Sequence, residues 1–231
     1  RYYFDEVTPD NLEPEGIDLP GFSYYDTQNG FHIYKNDYAL PMGFTFDTYV
    51  SRSQWETYSE SDRCNLLLRA LVLEDDAVET YQKDMQKLPD AVHQMSDEDL
   101  LAECTERTKT ACDSFTYNSK GFHTTISTDH ANLVFFSVPW EEGWSAEVNG
   151  EPVAIEKADI GFMAVPVPAG DNEITFTYHT PGLKAGALLS LGGLVLFAGY
   201  LTVAGIYNKR HPNPKTESIC CVDYSTEETA N

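Results

Sequence analysis

The sequence predicts a mixed fold: a jelly-roll-like antiparallel β-sandwich with an α-helical insertion, followed by one transmembrane helix. Three observations predict it. Residues 121–179 divide into six short strand-like runs separated by turn residues, the spacing expected of a sandwich. Residues 61–120 carry helix-start signals instead. Residues 185–207, AGALLSLGGLVLFAGYLTVAGIY, form an uncharged apolar run ending at Asn208-Lys209-Arg210. As a helix this run extends about 34 Å, enough for a hydrocarbon core of about 30 Å.

Taken in order, residues 1–60 read as an approach segment. Pro9, Pro14, Gly16, Pro20, Gly21 and Gly30 punctuate an acidic, turn-rich start, which predicts irregular backbone through residue 30. The aromatic, β-branched text that follows predicts short strands at 31–35 and 42–47. In the insertion, 61–120, Ser61-Asp62 is expected to cap a helix bearing Leu66, Leu67, Ala70 and Leu71. Residues 77–87 predict a second helix, stopped by Pro89. Ser96-Asp97-Glu98-Asp99 is a stronger start, an N-cap followed by three acids where the helix dipole favours them. That helix is expected to reach about residue 113, with Leu100, Cys104, Ala111 and Phe115 on one face.

In the sandwich segment, 121–182, strands are predicted at 122–128, 132–138, 144–149, 151–157, 161–167 and 172–179. Asn149-Gly150 between two alternating runs is a strong hairpin signal. Trp144, Ala146 and Val148 share one face, as do Ile174, Phe176 and Tyr178. Leu133-Val134-Phe135-Phe136 is apolar on both faces, as a central strand would be. Thr180-Pro181-Gly182 leaves almost no slack before the transmembrane helix, 183–208, so the sandwich is expected close to the bilayer. A tail, 209–231, completes the chain, and its YSTEETAN end has the composition of a disordered terminus. Gly186, Ser190, Gly193, Gly199 and Ala204 place small residues along the apolar helix, which suits packing against other helices.

Charge sets the expected orientation. Lys209 and Arg210, with Lys215 behind them, favour a cytoplasmic tail and place residues 1–184 outside. Those 184 residues hold 33 of the 37 acids and 12 of the 15 bases, a net charge near −21. So acidic a region disfavours nucleic acid and anionic head groups as ligands. A large outside region on a C-terminal anchor needs an export signal or earlier spans, which are expected upstream of Arg1. Cys64, Cys104 and Cys112 fit no zinc or haem spacing. Cys104 and Cys112 would lie about 12 Å apart on one helix and could bridge only if that helix breaks, so buried free thiols are expected. Cys220-Cys221 in the tail is a weak acylation signal.

Three stretches resemble the C-terminal portion of the YfhO-type bacterial membrane proteins. They are IYKNDYALPMGFTFDTYV at 33–50, VPWEEGWSAEVNGEPVAIEKADIGFMAVPVPAGDNEITFTYHTPG at 138–182, and the final apolar helix with its basic end. The likeness covers roughly 30–60 and 121–210, and 61–120 adds little. Asn149 stands where the family commonly has an aspartate, a change that keeps the turn. The resemblance implies a polytopic protein similar to glycosyltransferases of the C superfamily. Such proteins use a polyprenyl-phosphate sugar donor to modify cell-envelope polymers of the teichoic-acid type. Their catalytic carboxylate lies on an early extracytoplasmic loop, so no catalytic residue transfers onto this chain, and an accessory role follows for it. The implied partners are membrane lipid, upstream transmembrane helices, and an envelope glycan or lipid-linked sugar.

The residues themselves offer four ligand candidates. Trp140 and Trp144 either stack on a sugar or pack the sandwich core. Arg52 beside Trp55 either holds a phosphate or carboxylate or pairs with a neighbouring acid. No metal site is expected, because His32, His93, His123, His130 and His179 are scattered and the acids from Asp5 to Asp18 lack a calcium-loop spacing. No cofactor is expected, and no GxSxG elbow surrounds a nucleophile. Glu141-Glu142, adjacent in a loop, does not by itself form a glycosidase pair. A second function class, a non-enzymatic membrane-anchored module binding glycan or protein, fits the same residues.

Overall fold

The computed structural model describes residues 1–14, 16–89 and 95–211. The expectations for His93, Lys215, Cys220, Cys221 and the YSTEETAN terminus lie outside the described residues. The chain divides into two compact units, Arg1–Thr180 and Pro181–Asn231.

The N-terminal stretch is not the irregular segment its turn residues suggest. Strands β1 (Tyr2–Glu6), β2 (Phe22–Gln28) and β3 (Phe31–Asn36) form an antiparallel sheet in the order β1-β3-β2. Asn29 and Gly30, at φ 54° and 81°, make the tight β2–β3 turn with the two residue types that best tolerate left-handed backbone. His32 is buried and fully bonded: Nε2 donates to the Asn11 carbonyl and Nδ1 meets the Thr27 hydroxyl, both at 2.7 Å. It is a structural histidine.

Next come β4 (Phe44–Thr45), β5 (Thr48–Ser51), α1 (Arg52–Glu56), α2 (Glu60–Leu66), β6 (Leu71–Leu73), α3 (Asp75–Tyr81), β7 (Gln86–Lys87) and α4 (Asp97–Lys109). Ser59, not Ser61, caps α2 by accepting the Asp62 N–H. Ser96 caps α4 as expected, in a reciprocal capping box with Asp99. That helix stops at Lys109, short of residue 113. Ala111 bridges to Phe44, and the Cys112 N–H donates to the Gly43 carbonyl at 2.9 Å, so sheet pairing takes over from the helical pattern.

The remaining strands are β8 (Ser114–Asn118), β9 (Gly121–Thr128), β10 (Asn132–Pro139), β11 (Trp144–Val148), β12 (Glu151–Val153), β13 (Glu156–Ala158), β14 (Phe162–Val167) and β15 (Gly170–Tyr178). The single run expected at 151–157 is two strands, and β8 is an addition. Five of these strands make an antiparallel sheet in the order β12-β11-β15-β9-β8. Facing it is a seven-stranded sheet, β4-β10-β14-β13-β6-β5-β7, in which β5 runs parallel to β6 and β7. The helical insertion is therefore woven into the sandwich. It supplies β6 and β7 to one sheet and β8 to the other.

One core lies between the sheets. Phe122, Ile126, Ala146, Val148, Ile174 and Phe176 come from the five-stranded sheet and meet Val134, Phe136, Met163, Val165 and Val167. A second apolar cluster, including Phe44, Phe46, Leu71, Leu73, Leu133 and Phe135, covers the other face of the seven-stranded sheet. Strand β10 thus buries both its faces, as its unbroken apolar text predicts. Asp159 is buried at the β13–β14 turn. It accepts the Val72 N–H at 2.8 Å, and burial raises its pKa from 3.8 to about 7. Cys64, Cys104 and Cys112 are free thiols, and burial pushes the pKa of the latter two upward.

The second unit contains α5 (Leu183–Arg210), 28 residues long and apolar enough to cross a membrane. Gly182 starts it in a left-handed conformation and Lys209-Arg210 ends it. Leu188, Leu189, Leu196 and Phe197 are exposed along its length, as lipid-facing residues would be.

A candidate aromatic site on the sandwich

The two predicted tryptophans part company. Trp140 follows β10; its backbone N–H donates to the Gly161 carbonyl at 2.8 Å, and its ring packs against the inter-sheet core. The Lys157 ammonium sits 3.9 Å from its ring centroid, so that ring already holds a cation. Trp144, half-buried at the start of β11, pairs across the sheet with Tyr178 of β15. Its ring lies 5.0 Å from that of Tyr178 and 5.7 Å from that of Phe122.

These rings form the wall of a mostly apolar cavity of about 500 Å³. Phe115 and Tyr117 of β8 extend the wall, while Asn118, Lys120 and Glu141 bring polar groups to it. Tyr117 is 81% exposed, an aromatic ring offered to solvent. The Tyr178 hydroxyl donates to Glu141 Oε2 at 2.7 Å, and that bond to a carboxylate raises the tyrosine pKa. Among the described residues Glu141 is the one carboxylate lining the cavity, and the aromatic rings beside it suit binding of a ligand with apolar faces.

Two glycines make this geometry attainable. A Cβ at Gly121 would meet the Phe176 carbonyl oxygen at 1.9 Å, so only glycine lets β9 start so close to β15. A Cβ at Gly143 would come within 2.6 Å of both the His179 carbonyl oxygen and the Tyr178 ring. Neither Phe115, Tyr117 nor Tyr178 is evident as a site residue from sequence. The alternation of Ile174, Phe176 and Tyr178 gives their face, but the partner strand is set by long-range pairing.

Arg52 and Trp55 belong to α1, away from this cavity's lining. Arg52 Nε pairs with Glu56 Oε1 at 2.9 Å and Nη1 lies 3.8 Å from Glu74 Oε1, the ion-pair alternative. Trp55 carries the Arg63 guanidinium 4.4 Å from its centroid. Among the described residues no group of three His, Cys, Asp or Glu side chains gathers as a metal site.

Residues 90–190 match the family model described as "Bacterial membrane protein YfhO". The chain is also 30% identical over 121 residues to "Uncharacterized protein YfhO" of Bacillus subtilis (strain 168). That stretch is 52% of this chain but 13% of the relative's length. No solved structure matches the chain. The YfhO-type resemblance and membrane association are thus supported, with one adjustment. The family match takes in α4 and β8 from the insertion and leaves residues 33–50 outside it. It includes every residue lining the aromatic cavity.

Proposed function

We propose that this chain is an accessory, extracytoplasmic part of a membrane protein that transfers sugar from a polyprenyl-phosphate donor to an envelope polymer of the teichoic-acid type. Residues 1–184 lie outside the cell and the tail inside, in keeping with the basic pair that ends α5. The transfer chemistry belongs to parts of the parent protein beyond this chain. The cavity at Trp144 receives a sugar unit of the acceptor glycan or of the lipid-linked donor.

The observation that carries this reading is the cavity itself. Exposed aromatic faces beside a few polar groups are what a sugar needs: apolar C–H faces against rings, and hydroxyls to Glu141, Lys120 and Asn118. Its location in the family-matched stretch, on a strand separated from α5 by four residues, adds to the case. The test is calorimetry on the chain in lipid nanodiscs, titrated with hexose-bearing teichoic acid. Saturable binding, weakened about tenfold by Trp144→Phe and unaffected by Trp140→Phe, is expected. Binding equally strong in both variants, or none at all, would defeat the reading.

A further inference from the structure

A second cavity, of about 380 Å³, lies on the other sheet's side of the same unit, lined by Asp47, Thr48, Arg69, Leu88, Glu103 and Arg107 among others. Arg107, on the inner side of α4, is 9% exposed. Its Nη1 donates to the Thr45 carbonyl at 2.8 Å, and its guanidinium carbon lies 5.2 Å from the Phe46 ring centroid. Its Nε is buried with no hydrogen-bond partner, and no carboxylate among the described residues pairs with it. Glu103, one turn earlier, pairs instead with Arg69 at 3.3 Å.

An arginine keeps its charge at any physiological pH, and a guanidinium withdrawn from water without a counter-charge is costly. In a chain with 37 acids and 15 bases, a buried arginine that pairs with no acid, although Asp47 and Glu103 line the same cavity, is unexpected. We infer that this cavity binds a small oxyanion, a carboxylate or a phosphate group, on the guanidinium of Arg107. Arg69 supplies a second guanidinium on the wall, and Thr48 is fixed there by donating to the Arg69 carbonyl at 2.6 Å. With Nε enclosed and Nη1 held by the Thr45 carbonyl, Arg107 offers Nη2 to the anion, and Arg69 supplies the second point of contact. Asp47 and Glu103 on the same wall offset the two guanidinium charges, so they oppose an extended polyanion more than a single small anionic group. The anion also loosens the Arg69–Glu103 pair, since both compete for one guanidinium.

The test follows the Nε–H signals of the chain's six arginines by NMR, in nanodiscs at fixed ionic strength. Arg107→Lys assigns the Arg107 signal. Inorganic phosphate and acetate are the probes, and chloride is the control. The inference expects a saturable shift of the Arg107 signal with phosphate, acetate or both, and none with chloride. Whichever probe saturates identifies the oxyanion. Arg69→Gln, which leaves Arg107 in place, should weaken that binding about tenfold, while Arg52→Gln leaves it unchanged. If Arg107→Lys does not fold, single substitutions of the other arginines assign the signal by elimination. Shifts that never saturate, or that chloride reproduces, would overturn the inference and leave Arg107 a structural strut between α4 and β4.

Discussion

The two sheets of the sandwich were built in different ways, and the contrast explains much of this molecule. The five-stranded sheet comes from one continuous stretch, Ser114–Tyr178, and is antiparallel throughout. Its seven-stranded partner gathers strands from Phe44 to Val167, two of them only two residues long, and mixes parallel with antiparallel pairing. The local sheet carries the aromatic cavity, and the composite sheet meets the buried ionisable side chains, Asp159 at its β13–β14 turn and Arg107 from α4. A sheet assembled from distant pieces with short strands has many ends to satisfy. Its polar side chains do that work: Asp159 holds the Val72 N–H, and Arg107 holds the Thr45 carbonyl.

Substitutions can separate the two sheets. The largest stability effect in either direction is expected at Asp159. Its folded-state pKa is raised, so its protonated form favours folding. Stability from this group is present below about pH 4 and is lost as pH rises toward 7. Asp159→Asn keeps an acceptor for Val72 without the charge. It should stabilise the protein above pH 7 by up to about 4 kcal/mol and flatten the pH profile between 4 and 7, as read by chemical denaturation across pH. A stability curve identical to the parent's would show that the composite sheet tolerates the carboxylate as an ion.

Gly121→Ala strikes the local sheet. The clash with the Phe176 carbonyl should cost about 3 kcal/mol and lower the melting temperature. An unaltered melting temperature would mean that β9 can retreat from β15, and the account of the cavity wall would need revision. Ser96→Ala removes the α4 capping box and should cost about 1 kcal/mol by the same assay. At the small end, Tyr117→Ser should leave stability within about 0.5 kcal/mol, because the ring is exposed. It should nevertheless weaken glycan binding severalfold in calorimetry. Loss of folding there would make Tyr117 a packing residue.

What the sequence discloses follows the same division. Strands β9, β10, β11, β14 and β15 are legible because each alternates or is uniformly apolar for five or more residues, and Asn149-Gly150 marks the hairpin between β11 and β12. Strands β4 and β7 are too short to show a period. The hairpin at Asn29-Gly30 has the same turn dipeptide, but β2, FSYYDTQ, carries a bulge between Tyr24 and Asp26 that breaks its alternation. Strand β8, SFTYN, sets Phe115 and Tyr117 on one face, but it is short and exposed, and Phe115 also fits the helical period that runs on from α4. At the candidate site, Trp144 is legible because it shares a face with Ala146 and Val148. Its cavity partners Phe115, Tyr117 and Tyr178 are not, since β8 and β15 reach it only through long-range pairing. Arg107 carries no sequence signal at all, as a basic residue in the last turn of a helix is ordinary.

The most direct measurement uses Trp144 as its own reporter. With Trp55→Phe and Trp140→Phe, the chain in nanodiscs retains Trp144 as its one fluorophore of that type. Titration with hexose-bearing teichoic acid should then change its emission saturably, and Tyr117→Ser should shift the midpoint to higher ligand concentration. A folded protein whose Trp144 emission does not respond to any concentration of glycan would contradict the account.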